Sequence, residues 1–91
     1  MRVEIYFEGL VQGVNFRYYT QKTARSLGLV GFVRNLPDGR VHAIVQGPEE
    51  AVRSFLEWAR RGPPMARVDR MDVRELPEQG GEFPDFEIRY G

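Results

Sequence analysis

Apolar and polar residues alternate from the start of the chain, with Val3, Ile5 and Phe7 set against Glu4, Tyr6 and Glu8. A period of two predicts a strand with one buried face, closing at Gly9–Leu10. From Phe16 the period lengthens. Phe16, Thr20, Thr23, Ala24 and Leu27 share one side of a helix, while Arg17, Gln21, Lys22 and Arg25 lie elsewhere. Gly28 is placed to end that helix, with Arg25 in its last turn. Leu29 to Asn35 reads as a second strand, and Leu36-Pro37-Asp38-Gly39 as a hairpin turn, in which Pro sets φ, Asp bonds locally and Gly accepts positive φ. Val41, Ala43 and Val45 alternate with His42, Ile44 and Gln46 in a third strand. Gly47-Pro48-Glu49-Glu50 opens a second helix, with carboxylates near its positive end. Val52, Phe55, Leu56 and Ala59 form its apolar stripe, and Arg60-Arg61-Gly62-Pro63-Pro64 stops it. A fourth strand is predicted over Val68–Val73, where the break in alternation between Val68 and Met71 implies a bulge. Glu78 to Glu82 reads as a flexible loop, and Phe86, Ile88 and Tyr90 as a last strand.

The resulting order is β-α-β-β-α-β plus a short C-terminal strand. It predicts one α+β domain over residues 1–91 with the ferredoxin-like, split βαβ arrangement: an antiparallel sheet with two helices on one face. The right-handed crossover rule carries the first helix across that sheet. Such a fold hosts enzymes, RNA binders and ligand sensors alike, so function must come from the residues.

Composition narrows the choice. Thirteen basic residues balance thirteen acidic ones, which argues against a general nucleic-acid binder but leaves room for a local basic site. With no cysteine, disulfides, thiolate metal sites and cysteine nucleophiles drop out. The single histidine, His42, rules out a His-rich metal cluster, and its place in the third strand reads as exposed rather than catalytic. No secretory leader and no apolar run of bilayer length is seen, so a cytoplasmic protein without a membrane partner is expected. Arg2, Arg34, Arg40 and the Arg67–Arg70 charges read as solvated faces, with Arg34 able to steer anions. Twelve arginines accompany one lysine, a bias in keeping with a thermophilic or GC-rich source.

Gly9-Leu10-Val11-Gln12-Gly13-Val14-Asn15-Phe16-Arg17 joins the first strand to the first helix. A strand–loop–helix junction turns loop amides and a helix N-terminus toward one small volume, and that volume attracts an anion. Arg17 adds a planar, permanently charged fork suited to phosphate. Asn35, just before the hairpin, is a second candidate. On the residues alone the alternatives stay open: Arg17 reads equally well as a surface helix residue, and Asn35 as a turn former.

The two segments resemble a known family. Residues 9–17, continued by Tyr19-Thr20, are similar to the first signature of the acylphosphatases. Gly31-Phe32-Val33-Arg34-Asn35, with Gly39, Val41 and Gly47, is similar to the second, and the likeness extends over essentially the whole chain. The position held by Asn15 is one the family pattern leaves free. The resemblance implies hydrolysis of the carboxyl–phosphate anhydride of acyl phosphates, with inorganic phosphate as product and inhibitor. It implies that Arg17 and the backbone amides of Gln12, Gly13, Val14, Asn15, Phe16 and Arg17 hold the phosphoryl group, and that Asn35 positions the attacking water. Thr20 would support that site or simply face the core. No cofactor and no metal are expected, nor a nucleic-acid partner, and the enzyme is expected to act as a monomer. Whether the Gly91 carboxylate, which follows the terminal strand, contacts Arg17 is left open by the sequence. Two rival readings remain: a non-catalytic phosphate or acyl-ligand binder, and an RNA-binding domain. The second rests on Gly28-Leu29-Val30-Gly31-Phe32-Val33, which faintly resembles the aromatic strand of an RNA-recognition motif but falls on the second strand rather than the third.

Overall fold

A computed structural model describes residues 1–78 and 80–90. Strand β1 (Arg2–Leu10) is followed by α1 (Phe16–Ser26), β2 (Val30–Asn35), β3 (Val41–Gln46), α2 (Glu49–Arg61), β4 (Arg67–Leu76) and β5 (Phe86–Arg89). The order is the one read from periodicity. The fourth strand is longer than its apolar residues suggest, and Tyr90 falls just outside the last.

The helix ends follow local chemistry. After α1, Leu29 N–H donates to the Ala24 carbonyl at 2.9 Å and Gly28 N–H to that of Arg25 at 3.0 Å. This pair of reverse bonds satisfies the last carbonyls and folds the chain back toward the sheet. Pro48 caps α2 with φ −57°, and Val52 N–H closes on its carbonyl at 3.0 Å.

The strands form one sheet in the order β4-β1-β3-β2-β5. The contacts β1–β3, β1–β4 and β2–β3 are antiparallel, as expected. The edge pair β2–β5 is parallel, so the sheet is mixed rather than wholly antiparallel. A loop crosses from β4 at one edge to β5 at the other, and β5 thereby enters in the same direction as β2. Helix α1 secures it: Gln21 Nε2 donates to the Phe86 carbonyl at 3.0 Å, and Arg25 pairs with Asp85 at 2.7 Å.

One sheet face carries both helices. Val3, Ile5 and Phe7 of β1, Val41, Ala43 and Val45 of β3, and Val33 of β2 pack with Phe16 and Ala24 of α1 and Val52, Phe55 and Ala59 of α2. Full burial of each such side chain stabilises the fold by about 1.5–3 kcal/mol before entropy is subtracted. The Phe7 and Phe16 rings meet edge-on at 4.9 Å, which ties the start of α1 to the end of β1 and shortens the loop between them. The expected bulge lies in β4. Glu8 pairs with Arg70 but Gly9 pairs with Val68, so Asp69 is the extra residue. Gly9 sits at φ +130°, where a Cβ would stand 2.2 Å from the Arg67 carbonyl oxygen.

The opposite face departs from expectation. His42 is buried, at 4 % exposure, rather than exposed. Its ring stacks on Tyr6 at 4.6 Å and meets Phe32 at 5.5 Å. Arg34 Nε donates to His42 Nδ1 at 3.0 Å, so the ring hydrogen belongs on Nε2, which reaches Glu4 at 2.9 Å. Arg2 is likewise buried, pairing with Glu82 and lying over the Phe83 ring, so it is not part of a solvated face. Arginine stems and guanidinium planes cover a face that has no helix: Arg40 lies over Tyr6 at 4.8 Å and Arg89 over Phe32 at 4.2 Å. A period-two pattern identifies which residues share a face; it does not say that long side chains will fold down over that face.

Candidate active site

The loop from Val11 to Asn15 begins at a buried anchor, Val11, and ends in a residue with unusual backbone geometry. Gly13 (φ +77°) and Asn15 (φ +60°, ψ +26°) both lie in the left-handed region, with Val14 between them. Such alternation turns successive N–H groups to one side. Asparagine tolerates this conformation better than most residues, which accounts for Asn15 as the cap of α1 although its side chain makes no capping bond. The first helical bond is Tyr19 N–H to the Asn15 carbonyl at 3.1 Å. Among the described residues, no carbonyl or side chain accepts from the N–H groups of Gln12 to Arg17. These are the orphan donors of a helix N-terminus, extended back along the loop.

Register brings Asn35 to this loop. Phe7 pairs with Val41, and Val41 with Asn35, so the three stand side by side across β1, β3 and β2. The residue before the hairpin therefore faces the residues that follow β1. The intervening strand made this invisible from spacing alone. Asn35 Oδ1 is buried and has no hydrogen-bond partner among the described residues. A buried amide oxygen without a partner is costly, and its occurrence at a cavity wall marks a place prepared for a donor.

The cavity between these parts has a volume of about 320 Å³. Gln12, Gly13, Asn15, Phe16 and Arg17 line it from the loop, and Asn35 from β2. Val11, Tyr18, Ile88 and Tyr90 complete the wall. Arg17 lies 4.9 Å from the Tyr90 ring centroid, and no described carboxylate pairs with it. Any contact with the Gly91 carboxylate lies outside the described residues, as does Gln79 of the predicted loop. The lining contains no Asp, Glu, His or Cys. The site therefore presents positive charge, backbone donors and side-chain amides, Asn35 among them, the complement of a tetrahedral oxyanion with a water beside it.

The profile of the acylphosphatase family matches residues 3–88. The chain belongs to the acylphosphatase family. An acylphosphatase of Syntrophobacter fumaroxidans is 49% identical over 90 residues, spanning 99% of this chain and 92% of the relative. One from Acaryochloris marina is 55% identical over 80 residues, covering 88% and 84%. The crystal structure of acylphosphatase from Bacillus subtilis superposes with a TM-score of 0.93 at 39% identity, covering 98% of each chain. Hydrolysis of acyl phosphates comes with this membership.

Some acylphosphatase site assignments change in detail. Val14 does not line the cavity but packs on the core, so only its amide is available to the site. Thr20 is fully buried and away from the cavity, and its hydroxyl has no partner among the described residues. Thr20 thus takes the core-facing position that is one of its two readings. Arg34 is engaged with His42 and does not reach the cavity. Sequence reasoning missed Tyr18, Ile88 and Tyr90. The last two arrive through the parallel pairing of β5, for which a short alternating segment carries no signal.

Proposed function

We propose that Arg17 and the N–H groups of Gln12 to Arg17 bind the phosphoryl group of an acyl phosphate while Asn35 holds the attacking water. The observation that carries this reading is that Asn35, whose buried Oδ1 has no partner among the described residues, lines the same cavity as Arg17 and the loop. Water donates one hydrogen to Asn35 Oδ1 and its oxygen attacks phosphorus. The bond between phosphorus and the acyl oxygen breaks, and its electron pair leaves with the carboxylate. The water's remaining proton passes to a phosphoryl oxygen, since the described residues of the lining offer no carboxylate or imidazole base. Phosphoryl transfer depends mainly on positioning and charge stabilisation, which an arginine and a ring of amides supply. The carboxylate is a good leaving group, so no general acid is required. Val11, Phe16, Ile88 and Tyr90 form the apolar part of the wall and would receive the acyl group.

The RNA-binding alternative loses support, because the rings on the open sheet face on which bases would stack already lie under arginines. The direct test is hydrolysis of benzoyl phosphate by the purified protein, with and without a chelator. Equal turnover in both is expected. Turnover that vanishes with the chelator and returns with a divalent ion would overturn the metal-free reading.

A further inference from the structure

Strand β3 begins at Val41, so the ladder between β1 and β3 ends at the Phe7–Val41 pair. From Glu8 onward, β1 is paired only with β4, on the side away from the hairpin. No β1–β3 ladder bond therefore fixes the distance between the phosphate loop and the turn that follows Asn35. The Gln12 side chain spans it. Gln12 Nε2 donates to the Leu36 carbonyl at 2.9 Å and to the Arg40 carbonyl at 2.9 Å, so both amide hydrogens are used. Those two residues close the hairpin: Leu36 N–H donates to Arg40 O at 2.8 Å, and Gly39 N–H to Leu36 O at 3.2 Å. Leu36 follows Asn35 directly, and Arg40 precedes Val41, the partner of Asn35. The Gln12 amide thus grips the hairpin one residue beyond the Asn35–Val41 pair.

We propose that Gln12 is a positioning residue that sets the separation between the phosphoryl-binding loop and the water-holding Asn35. The inference rests on the roles given above to Arg17 and Asn35. Gln12 supplies its own backbone N–H to the phosphoryl group and spends its side chain on the hairpin. Its removal leaves the loop amides and Arg17 able to bind an oxyanion. It frees the hairpin to shift relative to them, and a misplacement of about 1 Å costs on the order of 100-fold in rate. Gln12 therefore belongs to kcat and not to phosphate affinity.

Three variants and one measurement on the unaltered protein test this. Gln12→Leu removes both donors, and Gln12→Met does so while keeping the length of the stem. Each should lower kcat for benzoyl phosphate by about 10- to 100-fold, with the inhibition constant of inorganic phosphate held within about threefold. Gln12→Glu has a distinct signature. As a carboxylate it sets negative charge against two carbonyl oxygens; as a carboxylic acid it regains one donor. Its kcat relative to wild type should therefore rise as pH falls, which the ratios for Gln12→Leu and Gln12→Met should not do. The charged groups nearby are Arg17 from α1, the Arg40–Asp38 pair of the hairpin and Glu8 of β1, which acts on Arg40 and is common to the wild type and all three variants. Guanidinium groups stay charged throughout, and the Arg40 N–H and guanidinium hold the Asp38 carboxyl below its ordinary range, so the new pH dependence would belong to Glu at position 12. In the wild type, both side-chain amide hydrogens of Gln12 should exchange slowly with solvent by NMR.

The proposal falls if Gln12 variants keep full kcat, if they lose phosphate binding instead, if the three ratios share one pH profile, or if the Gln12 amide hydrogens exchange like those of an exposed glutamine. Full activity in Arg17→Ala or Asn35→Ala would instead strike at the site assignment on which the clamp depends.

Discussion

Replacing Asn35 by alanine should separate catalysis from stability. Asn35 Oδ1 is buried and has no protein partner among the described residues. The water that the proposed role sets on this oxygen bonds nearly as well as a protein donor and costs about 0–2 kcal/mol to order, so its loss on truncation at Cβ is close to neutral for stability. The same truncation loses the packing of a side chain that is only partly buried, about 1 kcal/mol, well below the cost of emptying a core position. The net effect is therefore a destabilisation of about 1 kcal/mol or less. For a domain of this size each kcal/mol moves the melting temperature by roughly 4–8 °C. Asn35→Ala should therefore melt no more than about 8 °C below the wild type, while kcat for benzoyl phosphate falls by about 10²- to 10³-fold. Inhibition by inorganic phosphate should change by less than about threefold, since the loop amides and Arg17 remain. Differential scanning calorimetry and steady-state kinetics on one preparation measure all three. A variant that melts more than about 10 °C lower and keeps its kcat would show that Asn35 holds the hairpin and not the water.

Other substitutions probe the remaining parts. Arg17→Ala removes a charged pair of donors worth about 1.5–3 kcal/mol, so inorganic phosphate should bind roughly 10- to 150-fold more weakly, as read by inhibition kinetics; unchanged inhibition would refute its role. Gly9→Ala sets a Cβ 2.2 Å from the Arg67 carbonyl at φ +130°; denaturant unfolding should show a loss of at least about 1–3 kcal/mol from backbone strain alone, and a wild-type midpoint would mean that the β4 bulge yields readily. Glu4 should contribute to acid sensitivity. Its carboxyl lies below the ordinary range, chiefly through the bond to His42, with Arg74 adding and burial opposing. A lowered folded-state value means that this stabilisation is present above the ordinary carboxylate range and is lost as pH falls through the lowered value. The stability gap between wild type and Glu4→Gln should therefore close as the solution is acidified; a gap that is constant with pH would remove Glu4 from the account.

Much of this protein is legible from its residues because the signals are local. Period two and period 3.6 identify strands and helices, and Gly28 and Pro48 mark helix ends by backbone chemistry. The failed alternation between Val68 and Met71 announced the Asp69 bulge. The loop is local too, since Gly13 and Asn15 set its turn and residues 12–17 carry their own N–H groups and Arg17 to the start of α1. What only the tertiary structure decided is how distant parts meet. The Phe7–Val41–Asn35 register sets Asn35 against the loop, the parallel edge strand brings Ile88 and Tyr90 to the cavity, and Gln12 turns its side chain to the hairpin instead of to the anion. His42 was misjudged for the same reason: strand periodicity assigns a face, but burial on that face came from Tyr6, Phe32 and the arginines of several strands. Local geometry follows from short-range sterics and hydrogen bonding, which a single segment carries, whereas strand order and cross-strand contacts follow from how the whole chain buries its apolar face.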